Sequence, residues 1–328
     1  MKSMLITAAL GALLLAGEGL AQAPSTGSGQ GFPSKTIRLI ATSSPGSVVD
    51  VFGRAIADHL AQATGQTVLV ENRAGAGGTL AAGIVLGAEP DGHVVLVNTS
   101  AQVIAPFVYP KLTFDMLREF AGVAPLAILP NVLIVPPQSP WKDLKELIAA
   151  AHAKPGALTY GTAGHGTGTH MSAVRFWMSA RIEALQVPFK ASPEALIEVI
   201  SGRIDWSILP MSTVLTQIKD GRVRALGLGA ERRNAQLPDL PTFAEFGLAD
   251  ADFPFWVGMF VSAKVPRAAV GRLNEITSKG VQTPAMRARF EALGAEPFML
   301  TSEAFDAFVR TQAEVAGAII KAANIRPF

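Results

Sequence analysis

The chain has 328 residues, 49% of them hydrophobic and 16% charged, with Lys plus Arg at 28 against Asp plus Glu at 26. That is roughly two domains' worth at ~100–200 residues each; the composition excludes disorder over most of the chain, and a balance of +2 excludes a nucleic-acid binder, which concentrates cations on one face. Two tyrosines and no cysteine remove aromatic stacking platforms, disulfides, thiolate metal sites and cysteine nucleophiles.

The N-terminus reads as an export signal. Lys2 supplies positive charge, residues 4–16 an apolar run, and Ala21-Gln22-Ala23 the small residues of a cleavage site. The run is well short of the ~20 residues that span a bilayer. Cleavage is expected after Ala23 (signal peptide 1–23), with a flexible leader over 24–32 and a mature protein in the periplasm.

Strand and helix then alternate. Residues 36–41 read as a strand ended by the turn Ser44-Pro45-Gly46. From Val48, apolar residues recur at Val51, Phe52, Ala55, Ile56 and Leu60, a helical stripe. A strand over 68–70, a helix over 79–86 and a strand over 94–97 follow, with the turn Pro90-Asp91-Gly92 placing His93 at the surface. The pattern resumes with a strand at 132–135 and a helix opened by Ser139-Pro140, N-cap and first helical residue. Next come a strand at 158–160, a glycine-rich loop, a helix from Gly168, a strand at 187–189 and a helix at Ser192-Pro193. Strands at 205–208 and 224–228 flank a helix at 214–218, and after a strand at 256–261 the tail is helical. Such βα alternation argues for an α/β fold with mainly parallel sheets and helices on both faces. One domain is expected over 125–228, inserted into another formed by 33–124 and 229–328. Two segments crossing between them would act as a hinge.

Catalytic strings are missing: no G-x-x-x-x-G-K-[ST] and no G-x-S-x-G occurs. Of His59, His93, His152, His165 and His170, only the last two are close, and no carboxylate lies beside them to complete a metal site. No metal and no cofactor are therefore expected. Gly164-His165-Gly166-Thr167-Gly168-Thr169 follows a strand and precedes a helix. Thr169, however, stands where a third glycine belongs, and only Glu183 could be the acid ~20 residues on. An exported nicotinamide enzyme is thus the weaker alternative.

Two loops run from strand into helix and are rich in small and hydroxyl residues. They are Thr42-Ser43-Ser44-Pro45-Gly46-Ser47 and Gly161-Thr162-Ala163-Gly164-His165-Gly166-Thr167. Each offers donors at a helix start, where about half a positive charge gathers. Taken singly, each reads as an ordinary cap before it reads as a site. Ser47-Val48-Val49-Asp50 is a capping box, and Asp50 already sets a negative charge at that helix end.

The order of motifs decides between these readings. The first loop is followed by Val70-Glu71-Asn72-Arg73-Ala74-Gly75-Ala76-Gly77-Gly78, then by Tyr160-Gly161-Thr162-Ala163-Gly164-His165-Gly166, Val187-Pro188-Phe189-Lys190, Gly202-Arg203-Ile204-Asp205 and Leu237-Pro238-Asp239-Leu240-Pro241. From about Pro33 to the C-terminus this resembles the Bug-type solute-binding proteins, the periplasmic receptors of tripartite tricarboxylate transporters. The resemblance implies a two-domain, Venus-flytrap fold of the second periplasmic-binding class, with no enzymatic activity. It implies a small organic carboxylate held in the cleft by backbone N–H groups, hydroxyls and ordered waters. By motif position the contacts fall on Thr42, Ser43, Pro45, Gly46, Ser47 and Asp50 in the first loop, and on Thr162, Ala163, His165, Gly166 and Thr167 in the second. The implied partners are permease subunits in the membrane, with the receptor itself a monomer. A receptor that signals to a membrane kinase needs only the same closure and is the other alternative. Glu71 and Arg73 read as a scaffold pair, and the glycines after them as a tight turn.

The chain departs from the family pattern at Thr42-Ser43, at Gly46-Ser47 and at Leu209, where the family often has an acid. With Leu209 facing the cleft, a ligand ammonium would lack an acceptor. A carboxylate with an apolar or aromatic body is then expected over aspartate or glutamate.

Overall fold

Leu39 and Ile40 are both fully buried, yet they enter different hydrophobic cores. This is the period-two consequence of lying in a strand, β1 (Ile37–Ala41), covered on both faces. The structure is a computed structural model that describes residues 31–327; the expected signal peptide and leader residues 24–30 lie outside them. After β1 the chain runs through α1 (Val48–Thr64), β2 (Val68–Asn72), α2 (Thr79–Leu86), β3 (Val94–Thr99), α3 (Ala101–Val108) and β4 (Phe120–Leu129). It continues with β5 (Asn131–Val135), α4 (Leu144–Ala153), β6 (Thr159–Thr162), α5 (Gly168–Ala180), β7 (Leu185–Pro188), α6 (Ser192–Ile200), β8 (Trp206–Pro210), α7 (Met211–Lys219) and β9 (Arg224–Gly229). The remainder is β10 (Phe255–Ser262), α8 (Arg267–Gln282), α9 (Pro284–Ala292), β11 (Glu296–Pro297) and α10 (Ser302–Ala322).

Two sheets result. One has the order β11-β4-β10-β3-β1-β2, the other β7-β6-β8-β5-β9. Both are mixed rather than mainly parallel. β1 pairs in parallel with β2 and β3, and β6 with β7 and β8, as helical βαβ connections produce. β10 is antiparallel to β3 and β4, and β5 to β8 and β9. These antiparallel strands carry the chain between the sheets: only Pro130 separates β4 from β5, and β9 leads back toward β10.

Each sheet has a core on either side. Phe52, Ile56 and Leu60 of α1 join Leu273 of α8 and Phe290 of α9 under one face of the larger sheet. Trp256, Phe260 and Phe305 fill the other. Phe305 lies so close over β4 that a Cβ on Gly122 would stand 2.7 Å from its ring. The smaller sheet is covered by Phe176 and Trp206 on one side, their rings 5.5 Å apart, and by Leu196, Leu209 and Val214 on the other. α5 serves both layers: Met171 and Val174 belong to a core of the larger sheet, Ala173 and Phe176 to one of the smaller.

Three expectations need correcting, and two elements carry no sequence signal. Helix α4 starts at Leu144, capped by Asp143, which accepts from Glu146 N at 2.9 Å. Ser139 instead accepts from Trp141 N at 3.3 Å in the turn before it. His93 is buried because its Nε2 accepts from Ser34 N at 3.1 Å and its Nδ1 lies 3.1 Å from Asp91. Strand β4 and helix α3 were not legible: β4 is built on Ala, Gly and Pro125 without alternation, and α3 contains Pro106. Finally, Leu209 is fully buried in the core beneath α6 and α7, so it does not face a cavity.

Candidate functional site

The loop after β1 owes its shape to a buried amide network. Thr42 Oγ1 donates to Asn98 Oδ1 at 3.0 Å, Asn98 Nδ2 to Gln102 Oε1 at 2.9 Å, and Gln102 Nε2 to the Met116 carbonyl at 2.6 Å. Asn98 and Gln102 are almost wholly shielded from water, where an unmade hydrogen bond costs most. The same loop is held from β2 by Asn72 Nδ2, which donates to the Ser43 carbonyl at 2.9 Å. It then caps α1: Ser47 Oγ accepts from Asp50 N, and Asp50 Oδ2 accepts from Gly46 N at 2.9 Å.

The loop after β6 is held differently. Thr162 Oγ1 accepts from Gln186 Nε2 at 2.8 Å, and Thr169 Oγ1 from Ala163 N at 2.9 Å. Thr167 caps α5 by accepting from His170 N at 3.3 Å while donating to the Gly164 carbonyl at 2.7 Å. Its hydroxyl proton is therefore committed inside the loop. Gly166 has φ 66°, and a Cβ there would fall 2.5 Å from Val108 and 3.0 Å from Tyr109, so only glycine lets this loop approach α3 so closely.

Between the loops lies a cavity of about 260 Å³, just under the usual ~300–1,000 Å³ of small-molecule sites. Thr42, Ser43, Ser47, Ala163, His165 and Thr167 line it, six of the eleven positions expected from the sequence. Pro45, Gly46, Asp50, Thr162 and Gly166 are not on its wall. Pro45 and Gly46 are exposed, and the other three hold the loops from behind. The wall also includes residues that sequence reasoning did not assign to the site: Gly75 to Gly78, Thr99, Tyr109, Phe189, Lys190, Ser192 and Phe255. The Gly75–Gly78 string was visible but read as a turn. Glu71 before it does pair with Arg73, and also takes a two-point contact from Arg38 at 2.6 and 3.0 Å.

Electrostatically the wall is positive in character. Val48 and Val49, Gly168 and Thr169, and Ser192 sit in the first turns of α1, α5 and α6 and all line the cavity. The first amides of a helix have no acceptor within it, and each helix end adds partial positive charge. Lys190 contributes a full charge at the exposed edge, and no Asp or Glu is on the wall among the described residues. Asp50 does not spoil this field. Burial pushes its carboxyl up, but the hydrogen bonds from Arg54 and Gly46 outweigh that and hold it below the usual range, so it remains a neutralised ion pair with Arg54 at 2.9 Å. Burial, with His165 beside it, pushes His170 down to about 4. Burial likewise holds His165 below its usual value, against a hydrogen bond with Gln186. Both imidazoles are accordingly neutral at pH 7. Among the described residues no group of three or more His, Cys, Asp or Glu is placed to hold a metal ion.

Residues 52–325 match the family described as the tripartite tricarboxylate transporter family receptor. The chain belongs to this receptor family. A UPF0065 protein of Pseudomonas sp. is 36% identical over 285 residues, covering 86% of this chain and 85% of that one. Among solved structures, an R. palustris protein with adipate superposes with a TM-score of 0.87 at 25% identity, covering 91% of this chain and 100% of that one. The protein MatC from Rhodopseudomonas palustris, with bound malate, gives 0.83 at 27% identity over 88% and 100%. The receptor thus has the α/β fold of periplasmic binding proteins. Among its described residues no helix is long and apolar enough to cross a membrane.

Proposed function

We propose that this receptor closes two lobes on one small organic carboxylate and presents it to the permease subunits of a tripartite tricarboxylate-type transporter. The lobes are the two sheets with their covering helices, hinged at Pro130 and between β9 and β10; the boundary expected at 125 falls inside β4, which pairs with β10 as far as Leu129. The carrying observation is the cavity wall: first-turn residues of three helices, several hydroxyls and one lysine converge on it, without an acid. That is the chemistry of anion capture. The relatives solved with adipate and malate support a carboxylate over an inorganic anion.

The eleven loop positions divide in this reading. Ser43, Ser47 and the amides at the helix starts meet the ligand, while Asp50, Thr162 and Gly166 hold the loops in place. The receptor acts as a monomer in the periplasm after cleavage behind Ala23, without turnover of its ligand. The experiment is a thermal-shift and calorimetry panel of mono- and dicarboxylates on the mature chain. Ligand at a hundred times its Kd adds about 2.7 kcal/mol of stability. A flat melting temperature across a broad panel would sink the carboxylate reading. Co-purification with a multi-span permease rather than a sensor kinase tests the transport role.

A further inference from the structure

We infer that the ligand of this receptor carries no ammonium group: the cavity selects an amine-free carboxylate with an apolar body and rejects amino acids. The inference rests on the carboxylate reading above and deepens it. It no longer depends on Leu209, which is buried elsewhere.

The argument is one of missing counter-charge. An ammonium group removed from water needs a full negative charge or several good acceptors. Two acids belong to the helix starts that meet at the cavity, and neither is on its wall. Asp50 gives one oxygen to Gly46 N and the other to Arg54. Glu194, in the first turn of α6, receives the Ser44 hydroxyl on Oε1 at 2.9 Å; its Oε2 is buried without a hydrogen-bond partner, but Glu194 does not line the cavity. What the wall offers instead is helix-start amides and Lys190, which repel an ammonium as they attract a carboxylate. The rest of the wall includes the aromatic rings of Tyr109, Phe189 and Phe255 with Val48 and Val49, surfaces that gain by covering an apolar body.

The test uses matched pairs on the mature wild-type chain: glutarate against glutamate, and 3-phenylpropionate against phenylalanine, by calorimetry. Each amine-free acid is expected to bind at least tenfold more tightly than its amino acid. A Ser43→Asp variant, checked for folding by its melting temperature, places a carboxylate on the wall and should narrow that gap. Equal or tighter binding of the amino acid by the wild type overturns this inference and leaves the carboxylate reading standing. Silence from all four compounds overturns both.

Discussion

Ser44 Oγ donates to Glu194 Oε1 at 2.9 Å across 150 residues of sequence. Ser44 follows β1 of the larger sheet, while Glu194 opens α6, which packs on the smaller one. A second bond of the same kind runs from Tyr109 Oη to the His165 carbonyl at 2.9 Å. Neither involves a ligand, so in the closure proposed above both would favour the closed arrangement without one.

Removing the first of these bonds is therefore expected to lower affinity without touching the cavity wall. Ser44→Ala should lose about 1 kcal/mol of closed-state preference, or roughly fivefold in affinity for any ligand, because binding must then supply the closure. Calorimetry gives the affinity, and small-angle scattering of the free protein should show a more open average. Unchanged values in both measurements would remove Ser44 from the closing mechanism.

Thr167→Val addresses the second loop. Its hydroxyl both caps α5 and ties down Gly164, so the variant should lose about 1 kcal/mol of folding stability and a few degrees of melting temperature. Affinity should drop less than tenfold, through a loosened loop. A large affinity loss at unchanged melting temperature would instead mean that the hydroxyl serves the ligand directly.

The folded protein keeps His170 unprotonated to about pH 4, whereas its usual value is 6.5. The unfolded chain takes up that proton first, so stability falls as pH drops from 6.5 toward 4 and levels off below. The loss amounts to about 3 kcal/mol at most. His170→Asn, which keeps an acceptor for Gly166 N, should flatten urea midpoints over this window. A wild-type slope that persists in the variant assigns the effect elsewhere.

Asp91 governs a lower window. Burial pushes its carboxyl up, but Lys35 and His93 outweigh this and bring it from 3.8 to about 2. Its contribution is present above pH 4 and disappears as pH falls toward 2. Asp91→Asn should lower the melting temperature at pH 7 and weaken the acid dependence below pH 4. It should also speed proteolysis near Ser34, which the buried His93 holds. Identical proteolysis of both forms would show that this tie is not what fastens the start of the fold.

Much of the scaffold could be read from the chain because its signals are local. The stripe from Val48 to Leu60 needs only a period of 3.6, and β3 and β5 are β-branched runs. β4 escaped because Ala121, Gly122, Ala124 and Pro125 carry no alternation, and its burial comes from α8, α10, β10 and β11 packed around it. The two hydroxyl-rich loops were legible for their composition. Tyr109, Phe189 and Phe255 were not, since their convergence is a property of three distant segments, and sidedness within each was unmarked. Asp50 illustrates the limit differently. Its charge at a helix start looked adverse until Arg54, one turn on, was seen to neutralise it.

The order in which the strands are threaded bears on how the molecule comes into being. β3 finds its second neighbour only in β10, with Val97 opposite Met259 and Leu96 opposite Phe260. All of β5 to β9 is strung between them. A growing chain that has presented β1, β2 and β3 thus has half a sheet with an open, apolar edge and nothing to seal it, a hazard for chain-to-chain pairing. Closing that edge waits for a distant partner, which makes folding slow and non-local. The first third of this protein cannot complete its own sheet; that edge stays open until β10, at residues 255–262, has been made.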